Sequence, residues 1–334
     1  MAREIVRLQD VADAAGVSIA TASRALTGKN RVSKGTIAHV KRTAERMGYQ
    51  VNTIGRALRE GTARSVGLVV PVIGNPFFGQ LVQSIEDELQ NHDLELIIAD
   101  SHGLVERESR RLQLLVGRRV EGLIVVPSDA EHSAQALEDA SATTPLVQLD
   151  RRVEGIKTDF IGVDNELAMD LIIDHLVEQG VRSVALVASD ATTSAGRERR
   201  SAFERATARR GLETQEHILD EFTLGFGKQA AQVLLDRPAL PDAVVAGDDL
   251  IAIGLVTAFK RAGVIVPRDI LVTGFDGTML SEIADPPLTT VVQPFAELAR
   301  EATRALVRRS SERDAPTIYS RIAPELIVRQ STRR

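Results

Sequence analysis

The sequence predicts an α/β protein in two parts: a small all-helical module at the N-terminus, then a two-lobed body of doubly wound parallel sheets. Three observations predict it. Apolar residues in the first 50 positions recur at the three-and-four spacing of amphipathic helices. From Ser65 onward, short β-type runs alternate with helical stretches, and the alternation occurs in two successive sets. Charge divides at the same place: residues 1–60 hold 11 Lys/Arg against 5 Asp/Glu, a local +6, and the rest holds 30 against 41, or -11. The net charge of -5 over 334 residues conceals this split. A small basic head on a large acidic body suits a polyanion-binding module joined to something else.

In the head, Leu8, Val11, Ala12 and Ala15 follow helical spacing and Gly16 supplies a tight turn. Ser18 is placed to cap a second helix through about Leu26, with Ala22, Ala25 and Leu26 buried. Ser33 can cap a third, carrying Ile37, Val40, Ala44 and Met47. Three short helices with a glycine turn between the first two are the layout of a helix-turn-helix. The second helix would expose Ile19, Ala20, Ser23 and Arg24, with Thr21 at its edge. An arginine can fork onto guanine O6 and N7, and small apolar groups can meet thymine methyls. Thr21, Ser23, Lys29 and Arg31 suit phosphate contacts, which position a helix without reading sequence. The bland alternative is a solvated helical hairpin; the small-residue helix and the local charge weigh against it.

Three stretches of this head, Asp10-Val-Ala-Asp-Ala-Ala-Gly-Val-Ser, Ala20-Thr-Ala-Ser-Arg-Ala-Leu and Arg46-Met-Gly-Tyr, resemble the headpiece of the lactose-repressor (LacI/GalR) family of regulators. The resemblance continues through the rest of the chain. It implies a headpiece over 1–50, a hinge helix and linker over 51–64, and a periplasmic-binding-protein-like body over 65–334. Within the body, it implies a first lobe of about 65–161 plus 294–322 and a second of about 162–293 plus 323–334. Asn52-Thr-Ile-Gly-Arg-Ala-Leu-Arg resembles the family's hinge helix, which folds on the operator and inserts a leucine into the minor groove; the matching residue is Leu58. Asn52, Gly55 and Leu58 thereby join Ser18, Ile19, Ala20, Thr21, Ser23, Arg24, Lys29 and Arg31 as expected DNA contacts. Two departures are Val51 for the usual proline and Gly55 for the usual alanine. A glycine weakens an isolated helix by roughly 1 kcal/mol.

The body's β-type runs are Val66-Gly-Leu-Val-Val-Pro, Leu94-Glu-Leu-Ile-Ile-Ala, Gly122-Leu-Ile-Val-Val-Pro and Pro145-Leu-Val-Gln-Leu-Asp. The second set has Val184-Ala-Leu-Val-Ala, Ala243-Val-Val-Ala and Leu271-Val-Thr-Gly-Phe. Helices are expected at about 78–91, 104–118 and 130–141. Ligands of such sheets bind beyond the carboxyl ends of the strands. Those ends offer Asn75-Pro-Phe-Phe, Asp150-Arg151, Asp248-Asp249 and Asp276. The family resemblance implies an effector site of Phe77, Phe78, Asp150, Arg199, Phe222, Asp248, Asp276 and Gln293. Duller roles are open to each: core packing for the phenylalanines, capping for Asp150 and Asp248, a solvated position for Arg199. Asp248 replaces the usual asparagine, Lys228 stands where an aromatic is common, and Ala202 replaces a frequent glycine. A pocket of three carboxyls against Arg199 presents mainly acceptors, which favours a neutral polyhydroxylated effector such as a sugar or nucleoside.

Other classes fare worse. With no cysteine, the chain has no disulfide, thiolate metal site or thiol nucleophile, and it fits a reducing compartment. Its six histidines are scattered, with no metal-ligand spacing. There is no G-x-G-x-x-G, P-loop, G-x-S-x-G or H-E-x-x-H, so neither catalysis nor a cofactor is expected. No signal sequence or apolar run of membrane length is visible, and a cytoplasmic location is expected. The leading reading is a homodimeric repressor on a near-palindromic double-stranded DNA operator, controlled by a small effector, without membrane contact. The alternative is a solute-binding protein of a transport system, which would share the two-lobed body. No leucine heptad ends the chain, so a coiled-coil tetramer is not expected.

Overall fold

A computed structural model describes residues 6–27, 32–49, 64–189, 192–215 and 217–333. The chain divides into a head, Met1–Ala63, and a body, Arg64–Arg334. Expected contacts Lys29, Arg31, Asn52, Gly55 and Leu58 lie outside the described residues.

The head has helices α1 (Leu8–Ala14), α2 (Ile19–Thr27) and α3 (Lys34–Met47). Asp10 starts α1 by accepting the Arg7 amide at 2.7 Å. Gly16, at φ +64°, ends it, and the Val17 amide reaches back to the Ala12 carbonyl. The same device ends α3: Gly48 is left-handed, and the Tyr49 amide bonds the Ala44 carbonyl. Both glycines thus serve the αL position that a Schellman stop requires, which accounts for the Ala-Gly-Val and Met-Gly-Tyr strings. Ser33 caps α3 by accepting the Thr36 amide. Val11, Ala12, Ala22, Ala25, Val40 and Ala44 form the core.

The body has two sheets. The first lobe orders its strands β12-β5-β4-β3-β1-β2, all parallel: β1 (Ser65–Val70), β2 (Glu95–Asp100), β3 (Gly122–Val125), β4 (Leu146–Leu149), β5 (Asp159–Val163) and β12 (Tyr319–Ile322). The second orders β13-β11-β10-β9-β6-β7: β6 (Ser183–Ser189), β7 (Glu213–Thr214), β9 (Ala243–Ala246), β10 (Leu271–Asp276), β11 (Thr289–Val292) and β13 (Glu325–Ile327). A short β8 (Ile218–Asp220) also pairs with β6, and among the described residues only β13 runs antiparallel. Around them lie α4 (Pro76–Gln90), α5 (Val105–Gly117), α6 (Ala134–Ser141), α7 (Asn165–Glu178), α8 (Ser194–Arg210), α9 (Leu224–Leu235), α10 (Asp249–Arg261), α11 (Met279–Ile283) and α12 (Phe295–Ser311).

The chain passes between lobes after β5, after β11 and after β12, and α12 returns to pack Leu298, Ala302 and Leu306 into the first lobe's core. Val163 pairs with Ile322 in the first sheet, yet its side chain packs in the second lobe's core. The crossover therefore falls at this residue rather than ahead of Gly162. The helix expected from residue 130 begins only at Ala134: the Asp129 carboxylate accepts the amides of Glu131 and His132 and holds that stretch in a turn. Glycines let α9 and α10 touch, since a Cβ on Gly227 or Gly254 would overlap the carbonyl oxygen of Ile251 or Leu224. Among the described residues, no helix is long and apolar enough to cross a membrane.

Candidate functional site

Two surfaces carry chemistry. On the head, α2 buries Ala22 and Ala25 and turns the other way Ile19, 46% exposed, with Ala20 and Arg24 also exposed. Thr21 and Ser23 lie half-buried at the edge of this face. Ser18 accepts the Thr21 amide at 3.1 Å, so it caps α2 while remaining exposed. A bare isoleucine and alanine beside an arginine on one helical face match what a major-groove edge offers: thymine methyls and guanine acceptors.

In the body, strand ends from both lobes converge on one cavity. Its lining comprises Asn75, Phe77 and Phe78 from the start of α4, Asp150 and Arg151 after β4, Ala195 and Arg199 of α8, Phe222, Asp248 and Asp276. Seven of the eight residues expected there are in this lining. Gln293 is not: it stands behind Asp276, donating to its carboxylate at 2.8 Å. The cavity volume is about 20 Å³, little more than the roughly 10–15 Å³ that one water needs. As it stands, the cavity has no room for a sugar-sized molecule.

Local backbone explains the convergence. Asn75 caps α4, accepting the Phe77 amide, and Pro76 is set for its first turn. Phe77 and Phe78 are buried in the first lobe's core and also face the cavity. Asp150 and Asp276 have φ of +63° and +102°, sparsely populated for a residue with a Cβ. Both carboxyls stand at strand ends in the cavity lining. Asp248 caps α10 through Oδ1, accepting the Ile251 amide at 2.7 Å, and keeps Oδ2 without a partner. Arg199 is 3% exposed, so it is not a solvated neighbour of Glu198. Its Nε donates to Asn165, its Nη1 to the Gly247 carbonyl, and its guanidinium lies 3.6 Å from the Phe275 ring centroid and 3.7 Å from Asp276.

The carboxyls are crowded and dry. Burial pushes Asp248 up to about 7, with neighbouring Asp249 adding, against the pull of the Ile251 amide and Arg199. Burial also pushes Asp276 well up, against Arg199, and raises Asp150, against Arg151 and Arg199. Asp249 rises to about 6 through burial, although Thr290 and Thr278 bond it. In the folded chain Asp248 and Asp249 hold protons more tightly than when unfolded, so stability falls as pH rises. Their contribution is complete below about pH 4 and lost as pH passes about 6 to 7. Thermal unfolding should therefore show a falling melting temperature across that window. D248N, which keeps the cap, should make the fall shallower, leaving the part due to Asp249; an unaltered slope in D248N would assign the effect to other groups.

Asn75 and Arg151, within the strand-end strings, also line the cavity, as does Ala195, and Asn165 partners Arg199; nothing in the local sequence singles these four out. Arg151 matters most, because it adds a second guanidinium to a site expected to present mainly acceptors. Among the described residues no cluster of histidine and carboxylate side chains is placed to hold a metal ion.

Residues 7–52 match the model for bacterial regulatory proteins, lacI family, and residues 173–332 match a periplasmic binding protein-like domain. HTH-type transcriptional regulator DegA of Bacillus subtilis (strain 168) is 32% identical over 97% of this chain and 97% of its own length. The chain belongs to the LacI family. HTH-type transcriptional repressor CytR of Escherichia coli (strain K12) is 30% identical, over 98% of this chain and 96% of its own. A crystal structure of the lac repressor dimer bound to operator and the anti-inducer ONPF matches with a TM-score of 0.89 at 25% identity, covering 98% of this chain and 99% of that one. This LacI-family chain is a DNA-binding transcriptional regulator. The transport reading is set aside, because the relatives match head and body together.

Proposed function

We propose that the regulator is a cytoplasmic, non-enzymatic repressor. As a homodimer it places two heads on a near-palindromic operator, and a small neutral polyhydroxylated molecule, a sugar or nucleoside, bound in the body's cleft sets its operator affinity. The supporting observation is the convergence of Phe78 and Asp150 from one lobe with Arg199, Phe222, Asp248 and Asp276 from the other on a single cavity. A ligand seated there touches both lobes, so its binding energy depends on how they stand. That differential is what couples one site to another, and it makes ligand and operator affinities respond reciprocally.

The polar inventory favours a neutral ligand. Asp150 Oδ1 and Asp248 Oδ2 are buried without partners and suit hydroxyl donors, while Arg151 Nε is a spare donor for a ring or hydroxyl oxygen. A phosphate would meet Arg151 and Arg199 but also three carboxyls, two of which, Asp150 and Asp248, keep a buried oxygen that only a hydroxyl or other donor would satisfy. A calorimetric titration of the full chain against sugars, nucleosides and their phosphates tests this. A phosphorylated sugar binding more tightly than its neutral parent would sink it.

For the head, Arg24→Ala should cost roughly 1–3 kcal/mol of operator binding if Arg24 reads a base. The control is random DNA in the same mobility-shift assay. Equal losses on both would make Arg24 a phosphate contact instead.

A further inference from the structure

The cleft already contains a flat, charged group of the protein's own. Arg151 follows Asp150 at the end of β4, and its guanidinium carbon lies 5.8 Å from the centroid of the Phe78 ring and 5.7 Å from that of Phe222. Phe78 belongs to the first lobe's core, and Phe222 packs against the second lobe's. The side chain is only 12% exposed, its Nε is buried with no hydrogen-bond partner, and its nearest carboxylate, Asp150, stands at 3.7 Å. A buried arginine whose fork is not fully bonded is held here by Asp150 beside it and by the two ring faces, both within cation–π range. It also accounts for the small cavity: the space between the two phenylalanines is occupied by this side chain.

We propose that Arg151 is a built-in occupant of the ligand slot, bridging the phenylalanines of the two lobes and holding the cleft closed until a ring-shaped ligand takes its place. The inference rests on the effector reading of the cleft and adds how that cleft is governed. The ligand must displace a guanidinium that stays tethered beside Asp150. Apparent affinity is reduced by the fraction of molecules in which Arg151 fills the slot.

The test does not require the natural ligand. In the full chain, Arg151→Ala should lower the melting temperature, and 10 mM methylguanidinium, a flat cation of matching shape, should restore much of the loss. Methylammonium, with equal charge and no plane, should restore little. Arg151→Lys should behave like the alanine variant, which keeps the comparison open if one variant folds poorly. Separately, titration of wild type and variants with D-ribose, D-glucose, adenosine and uridine should show any binder gaining about tenfold in R151A. Methylguanidinium should then compete with it. Rescue by methylammonium equal to that by methylguanidinium would reduce Arg151 to a counter-charge and overturn the proposal, as would tighter binding of a probe to wild type than to R151A. Rescue without binding of any probe would support the occupied slot and count against the sugar or nucleoside reading instead.

Discussion

Asp159→Ala should destabilise the chain by about 3–5 kcal/mol, the cost of breaking a buried ion pair by removing one partner. Asp159 is fully buried at the head of β5. Its carboxylate accepts from Arg309 Nη2 at 2.6 Å and Nε at 3.1 Å, from Arg308 Nη2 at 3.3 Å and from the Ile318 amide at 2.7 Å. The same arginines bond the carbonyls of Arg313, Ala315 and Pro316. One acid therefore ties the end of α12, the loop after it and the start of β12 to the first sheet. Without it, two guanidiniums lose their counter-charge and the Ile318 amide its acceptor. For a body of this size the loss corresponds to roughly 10 °C in melting temperature. Asp159→Asn, which keeps an acceptor for Ile318, should lose less. A melting temperature within about 3 °C of wild type for the alanine variant would show that water replaces the carboxylate without penalty.

Asp159 also shows why part of the fold was illegible. The strands read from sequence, β1 to β4, β6, β9 and β10, are apolar runs, and all but the half-exposed edge strand β2 are buried in a parallel sheet. The run Asp159-Phe-Ile-Gly-Val opens on a charge, and nothing local signals that two arginines 150 residues away neutralise it. The edge strands β12 and β13 are short and mixed in polarity, with Tyr319 and Glu325 exposed, as unpaired edges tend to be. β7 and β8 are shorter still. The three described helices of the head were legible almost to the residue, because their glycine stops and serine caps are local chemistry. The cleft was legible at the strand ends but not in its electrostatics. Whether Asp248 is a cap or a cavity residue is not a choice, since one oxygen does each job. That Arg151 turns inward between two rings depends on the left-handed Asp150 ahead of it, a backbone state the sequence does not announce.

Arg199→Ala should uncouple the two functions, leaving operator affinity without ligand close to wild type while weakening ligand binding by roughly 100-fold or more. The head keeps its own core of Val11, Ala12, Ala22 and Val40, which the substitution does not touch. In the cleft the loss is double. A cation lining the cavity disappears, removing charge-assisted donors that are each worth about 1.5–3 kcal/mol. Asp248 and Asp276, already raised by burial and drawn down only in part by Arg199, then keep their protons to still higher pH. The substitution also strips donors from Asn165 and the Gly247 carbonyl. Its neighbour on α8, Glu198, accepts from Arg152 and Arg321 of the first lobe, so this one helix carries both the ligand contact and the lobe contact. Residual ligand binding in R199A should strengthen as pH rises, as the remaining carboxyls ionise, whereas a simple loss of shape gives no such trend. Arg199→Lys, which keeps charge but not the fork to Asn165 and Gly247, should fall between. Operator release by ligand that survives unchanged in R199A would place the coupling elsewhere than α8.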